Sequence, residues 1–421
     1  ILNKWKKNTK LRIAIVGSGI AGVCMARALA NLALKNNCIQ IFESQNSDFY
    51  NIKKITIFEK AKSLEDALKF SASGNPVGIM HPIISKHDFS HKWTQKGILT
   101  TIRWIKELKI ADNFFNLCGV LHLPRNEKQS LNWLNWNENG NLQSTLLTKK
   151  TLIQHYKHIN DETCAVWSSH CGWVKPKEFV NAALRETKQI LGNKLKIIFS
   201  SNVDLNKLKT LHTQQPNNST RPFDLVIIAA GGGSPNLIHK TSKAICDKNL
   251  ISKKPALELV NGQITAIPYA EKNYEESNKL DHILCKSGYI TPSINGYIFS
   301  GATYETVSKP HNIPTIKHRI ENINRLTYLM PNLKFGSDFA NQQIIDRTST
   351  RCVSRDKLPV IGLIEDQYPR IYALTALGSR GLSWAPLAAE DLAKEVLFKK
   401  KVKAENFLTK NLLPNRLGIN N

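Results

Sequence analysis

The sequence predicts an α/β protein of two lobes, in which a parallel, doubly wound sheet is interrupted by an antiparallel one and closed by a C-terminal strand, turn and helix. Three observations lead there. In KLRIAIVGSGIAGVCMARAL, residues 10–29, an apolar run ends in a glycine triplet and opens into an Ala-rich helical pattern. HILCKSGYITP and GYIFSGATYE, within residues 282–305, alternate inward and outward positions as antiparallel strands do. RIYALTALGSRGLSWAPLAAEDLAKEVL, residues 370–397, reads as strand, glycine turn and helix.

In chain order, the opening ILNKWKKNTK (1–10) reads as a basic linker or arm and leaves room for a domain upstream. Gly17, Gly19 and Gly22 then follow with GxGxxG spacing. The first permits the tight turn, the second lets backbone reach a pyrophosphate, and the third lets the helix pack on the strand. Ile20 and Ala21 open that helix, whose N–H groups and positive dipole end face the phosphates. A Rossmann-like dinucleotide site follows. Its ribose-binding acid has two candidates: Glu43, which ends CIQIFES at the expected distance, and Glu59, which ends KITIFEK beside Lys60 and leads straight into the next motif. Glu59 is the expected ribose-binding acid, although distance alone favours Glu43.

Residues 96–154, with tryptophans around and within them (Trp93, Trp104, Trp133, Trp136), read as part of the second lobe. LKIIFSSNV, ending at Val203, is a further strand, and DLVIIAAGGGSP (224–235) runs from a buried strand into glycines at Gly231, where backbone again nears a cofactor. The expected division is a discontinuous dinucleotide-binding domain over 11–95, 165–250 and 345–400, a substrate domain over 96–164 and 251–344, and a basic tail over 401–421.

With 421 residues, 42% of them hydrophobic, the chain can bury a large core. No apolar run approaches the roughly 20 residues of a membrane span and no signal-peptide pattern opens the chain, so it reads as soluble and cytoplasmic, with no membrane partner. Eight cysteines are scattered without a CxxC pair and read as reduced, mostly buried thiols. His81, His87, His91 and Asp88 straddle a proline-containing loop and offer no ligand geometry on one helix face, so no metal is expected. Lys and Arg outnumber Asp and Glu by 58 to 33, a net charge of +25. A small-metabolite enzyme needs no such field, whereas a polyanion-binding surface gains affinity from each phosphate it neutralises, so nucleic acid is a candidate partner.

A parallel sheet interrupted by antiparallel strands and completed by a terminal strand, turn and helix is the layout of two-lobed flavin oxidases. Gly378, Ser379, Arg380, Gly381 and Leu382 form a second helix-opening turn that can present N–H groups to a flavin. The cofactor expected is FAD rather than NAD.

SASGNPVGIMHPIISKHD, residues 71–88, resembles the GASGN-QGALYP-LSKHD segment of the FAD-dependent oxidoreductase half of the MnmC family, bifunctional tRNA 5-methylaminomethyl-2-thiouridine biosynthesis proteins. NGQITAIP, SGYITP, CVSRDKLPVIG and ALGSRGLSWAPLAAE are similar to further family segments in the same order, covering about residues 11–397. The chain departs at Ser71, at Pro76 and in the insertion before Glu59. The resemblance implies a D-amino acid oxidase/glycine oxidase-like fold, with Ser73, Gly74 and Asn75 at the flavin. It also implies a tRNA substrate whose wobble uridine loses a carboxymethyl group as glyoxylate. A separate SAM-dependent methyltransferase half would follow with methylation; no methyltransferase glycine motif precedes Gly17. Arg351 falls where related oxidases fork the substrate carboxylate, and Tyr289 where they place a hydroxyl on it. Arg380 is expected near flavin or substrate. The alternatives are that Tyr289 packs in the hairpin and Arg351 pairs with an acid, with Arg355 the rival fork although Asp356 beside it suggests a structural pair.

Overall fold

The computed structural model describes residues 9–35, 49–84, 88–134, 144–155, 164–205, 223–241, 256–269, 280–331, 343–366, 369–398 and 408–419. Glu43, His87 and Trp136 lie outside the described residues.

KLRIAIV makes the strand Lys10–Val16, buried on both faces as a central parallel strand requires. It sits inside a six-stranded sheet of order Val360–Glu365, Arg370–Thr375, Leu225–Ile228, Lys10–Val16, Asn51–Phe58, Leu195–Ile198. The last five run parallel and Val360–Glu365 is antiparallel to its neighbour. Val16 stands opposite Ile228 and Phe58, so the chain leaves three adjacent strands at one level, through Gly17, Glu59 and Ala229. That common C-terminal edge is where open α/β sheets bind ligands. The strand expected to end at Val203 ends at Ile198; beyond it Ser200 and Ser201 donate their N–H groups to the Ala61 and Glu59 carbonyls, and Val203 packs against the core cluster that includes Val16, Val226 and Leu205.

A nine-stranded second sheet is organised by the long strand Leu257–Pro268, which pairs antiparallel with Tyr297–Gly301, Glu305–Val307 and Ile345–Ser354. The expected hairpin is present: Ile283–Cys285 pairs Tyr289–Ile290, which pairs Tyr297–Gly301. The sheet is not purely antiparallel, because Ile283–Cys285 runs parallel to Val120–His122.

The Ala-rich helix Ile20–Lys35, buried along most of its length, lies among the helices Pro176–Leu191 and Gly381–Leu397. The helix Asp88–Glu107 crosses the boundary expected after residue 95 and packs on Gly381–Leu397, bringing Trp93 within 5.7 Å of the Trp384 ring. Two backbone details explain that contact. Pro386 inside Gly381–Leu397 has no N–H for the Leu382 carbonyl, and the Thr101 hydroxyl donates to that carbonyl instead, at 2.6 Å. The helices can approach this closely because residue 97 is glycine: a Cβ there would stand 2.0 Å from the Ser383 carbonyl oxygen. The C-terminal segment also joins the core, with Leu412 and Ile419 buried and Arg416 paired to Asp356 at 2.7 Å.

The helix layer is tied together by Arg27, 2% exposed, whose guanidinium lies 4.0 Å over the Trp104 ring and pairs with Glu107 and Glu186. Arg27→Ala leaves the partly buried Glu186 without its cation and removes the stacking contact, while the exposed Glu107 keeps Arg103 at 3.7 Å, so unfolding free energy falls by about 2–4 kcal/mol. Urea unfolding measures this, and an unchanged midpoint would refute it.

Candidate cofactor and substrate site

The site is built from the loops that leave the parallel sheet. Gly17 takes φ +108°, and a Cβ on it would strike the Ala229 carbonyl oxygen at 2.5 Å. A Cβ on Gly22 would lie 1.9 Å from the Gly17 carbonyl oxygen, so only glycine lets the helix start against its own turn. Gly19 leaves the helix N-terminus open toward Ser73, whose Oγ accepts the Ile20 N–H at 2.9 Å. Glu59 stands beside the turn. Its Oε2 accepts the Ser18 N–H (2.9 Å) and hydroxyl (2.8 Å), and its Oε1 accepts the Ala61 N–H.

Of these groups, Gly17, Gly19, Ile20, Glu59, Ser73 and Ala229 line a cavity of about 820 Å³. Of the residues singled out in the sequence, Gly17, Gly19, Ile20, Ala21, Glu59, Ser73, Asn75, Gly231, Gly378, Ser379, Arg380, Gly381 and Leu382 line it, as do Arg351 and Tyr289. Gly22, Lys60, Gly74 and Val203 do not. Gly22 and Gly74 serve close packing instead: a Cβ at 74 would sit 1.9 Å from the Leu68 carbonyl oxygen. Lys60 is exposed.

The loop carrying Ser73 is held from the other sheet. Arg347, on Ile345–Ser354, donates through Nε to Asn75 Oδ1 (3.0 Å) and through Nη2 to the Leu68 and Ser71 carbonyls (2.9 and 2.8 Å), and the Ser349 hydroxyl reaches Asn75 Oδ1 at 3.1 Å. The sequence reading did not single out Arg347. Its signal was the spacing in RTSTR, which on a regular strand puts residues 347, 349 and 351 on one face.

Four residues on, Arg351 lies in the cavity with Nη2 on the Thr303 carbonyl at 3.0 Å. Gly262 makes room for it, since a Cβ there would stand 1.8 Å from that nitrogen. Burial lowers the Arg351 pKa and raises that of Tyr289, whose phenol it faces, so the pair is a guanidinium and a neutral hydroxyl at working pH. No acid pairs with Arg351 among the described contacts. Arg355 does not line the cavity, and Asp356 is held by Arg416.

Arg380 caps the start of Gly381–Leu397, 3.3 Å from the His81 carbonyl and 5.7 Å from the Trp384 ring; burial lowers its pKa to about 10, which leaves it charged. His81 and His122 face each other at 5.1 Å beside it. Burial first and the Arg380 charge second depress both, His122 to about 3. Among the described residues lining the cavity, Glu59 is the only carboxylate, while Arg125, Lys286, Arg351, Lys357 and Arg380 supply cations. Among the described residues no three His, Cys, Asp or Glu side chains converge as a metal site, and no helix is long and apolar enough to cross a membrane. His91 is occupied by the Ile83 carbonyl and Gln95.

Residues 12–395 match the family model described as FAD dependent oxidoreductase (DAO). The chain belongs to that family and is an FAD-dependent oxidoreductase. It is similar to the tRNA 5-methylaminomethyl-2-thiouridine biosynthesis bifunctional protein MnmC of Shewanella pealeana, 24% identical over 98% of this chain and 63% of the relative, and to that of Vibrio vulnificus, 26% identical over 91% and 56%. The chain thus spans about three-fifths of the length of these curated relatives. Among solved structures it resembles L-proline dehydrogenase from P. horikoshii (TM-score 0.69, 17% identity, 97% of each chain) and glycine oxidase from Geobacillus kaustophilus (TM-score 0.63, 14% identity, 92% of this chain and 95% of that one). The residues present fit FAD, because the glycine cradle admits backbone-close phosphates and Glu59 offers carboxylate lone pairs beside the turn.

Removing Arg347 takes three hydrogen bonds from the Ser73 loop, so Arg347→Ala should weaken FAD retention at least tenfold, about 1.4 kcal/mol, while Arg347→Lys restores little because an ammonium lacks the planar fork. Retention equal to wild type on gel filtration would contradict this. The histidines predict a pH effect. The folded pKa of His122, about 3, lies below its unfolded value near 6.5, so between these values the unfolded chain binds the extra proton and stability falls as pH drops below about 6.5. Urea unfolding at about pH 7.5 and pH 5 should show a smaller loss for His122→Gln; an identical loss would remove His122 from the balance.

Proposed function

We propose that the protein oxidises 5-carboxymethylaminomethyl-(2-thio)uridine at the tRNA wobble position, giving 5-aminomethyl-(2-thio)uridine and glyoxylate. The observation that carries this reading is the placement of Arg351 and Tyr289 in the carboxylate-poor part of a cavity that also contains the Gly17, Gly19 and Glu59 cradle. The reacting side chain is an N-substituted glycine. Its carboxylate matches the Arg351 fork, two N–H donors to two oxygens, with the Tyr289 hydroxyl as a further donor.

The chemistry FAD supplies when bound is acceptance of the hydride from the glycine α-carbon. Loss of that hydride, with the amine proton released to solvent, leaves a C=N bond. Water adds to this carbon and the C–N bond breaks, so the nitrogen stays on the nucleoside and the two-carbon fragment leaves as glyoxylate. The chain contributes orientation and field. Arg351 and Arg380 disfavour an ammonium near them, which keeps the amine lone pair available, and the neutral imidazoles of His81 and His122 add no opposing charge. No nucleophile is required.

Two features support RNA over a small amine as the substrate: the net charge of +25 and the similarity of nearly the whole chain to relatives named for tRNA modification. The aminomethyl product is the natural substrate of a SAM-dependent methyltransferase, and such a domain is the proposed companion of this one.

The test is incubation of the FAD-loaded protein with tRNA carrying the carboxymethylaminomethyl group, reading nucleoside conversion and glyoxylate. Conversion is expected; efficient turnover of sarcosine with none of the tRNA would favour a small-molecule amine oxidase. Arg351→Ala should keep its FAD spectrum while flavin reduction slows about 30- to several-thousand-fold, the effect of losing a charged hydrogen-bond pair worth roughly 2–5 kcal/mol. A wild-type rate would place the carboxylate elsewhere.

A further inference from the structure

Beyond the carboxylate fork, the lining of the cavity continues into two segments that flank the pairing of Tyr289 with Gly301. On one side lies the turn at residues 286–288, where Lys286 reaches Tyr328: its Nζ is 3.0 Å from the Tyr328 hydroxyl and 5.0 Å from the ring centroid. On the other side is Tyr304, which lines the cavity close enough to Arg351 for the guanidinium to influence its phenol, yet is 59% exposed. Tyr328, on the helix Ile316–Leu329, is 66% exposed. Tyr304 thus lines the cavity itself, and Tyr328 is held against it through the lining residue Lys286, so that two exposed aromatic rings and a cation stand together at this part of the site.

We infer that this rim is a stacking surface for single-stranded RNA, with Tyr304 receiving the wobble base and Tyr328 an adjacent nucleotide. The inference rests on the tRNA reading above and specifies how that substrate is held. A carboxylate on Arg351 leaves the uracil ring only a few bonds further out, where Tyr304 stands. Every base offers a π-face to an aromatic ring, so such a platform reads no sequence. The charges agree with RNA. Arg125 and Lys286 line the cavity, and Lys309 and Lys317 are exposed nearby in the chain. Of the neighbouring acids, Glu321 pairs with Arg325 (3.1 Å) and Glu305 faces His318 (3.9 Å), while Glu258 lies near enough to act on the Tyr304 phenol, where it is opposed by Arg351. The outer face of the helix also exposes Ile316 and Ile320, which bases can cover but phosphates cannot.

The experiment uses FAD-loaded protein and an anticodon stem-loop carrying 5-carboxymethylaminomethyluridine, with steady-state kinetics and flavin content read together. Tyr304→Ala and Tyr328→Ala should each raise KM for the stem-loop by about 5- to 100-fold, the range for losing one stacked base, with flavin content unaltered. Tyr304→Phe should restore most of the loss because the ring, not the hydroxyl, is the platform. If the wild type converts the stem-loop and both alanine variants keep its KM, the surface is overturned and this helix face is left to a protein partner. If the wild type itself leaves the modified uridine intact, the functional reading fails and the surface fails with it.

Discussion

One strand holds the two halves of the site in register. On Ile345–Ser354, side chains two apart share a face, and Arg347, Ser349 and Arg351 occupy successive positions of that face. The first two grip the loop that presents Ser73 to the start of the dinucleotide helix, and the third stands in the cavity where a carboxylate would bind. Arg347 and Arg351 are thereby separated by about 13 Å of extended chain, a spacing fixed by backbone geometry rather than by flexible side chains. The strand itself pairs along its full length with Leu257–Pro268, ten residues against ten without a bulge, so the spacing cannot drift. The loops that leave one sheet and the cavity-lining arginine carried by the other are thus referred to a single rigid element.

Electrostatics divides the cavity in the same sense. The end at Glu59 carries the one carboxylate found among the described lining residues, tied to the glycine turn by Ser18. The other charged lining residues are cationic, and the imidazoles beside Arg380 are driven to the neutral form by burial. A dinucleotide's ribose hydroxyls need an acceptor, and an amino acid's carboxylate needs donors. The cavity contains both kinds of group, Glu59 as acceptor and Arg351 with Tyr289 as donors.

Much of this was legible in the sequence because it rests on local rules. The GxGxxG turn, the terminal glycine turn and the strands around them follow from glycine spacing and apolar runs, and each appears where the chain predicts it. Arg351 and Tyr289 came from resemblance to a family, since nothing in TSTRCVSRD alone distinguishes a substrate arginine from a surface one. What escaped was long-range. Arg347 acts on a loop more than 270 residues earlier, and His122 enters the cavity only because Val120–His122 pairs with Ile283–Cys285. The tryptophans around residues 93–104 resembled a separate lobe in composition, but Trp93 packs near Trp384 and Trp104 stacks on Phe179 and under Arg27. The Pro386 and Thr101 exchange at Leu382 likewise has no local signature.

The most direct test of the account is a crystal structure of the FAD-loaded protein with the 5-carboxymethylaminomethyl nucleoside, held under anaerobic conditions. The account predicts the ribose hydroxyls of the cofactor on Glu59, the substrate carboxylate bidentate on Arg351 with the Tyr289 hydroxyl beside it, and the uracil emerging toward Tyr304. A carboxylate bound by Arg380 or Arg125, with Arg351 still turned to the Thr303 carbonyl, would contradict it.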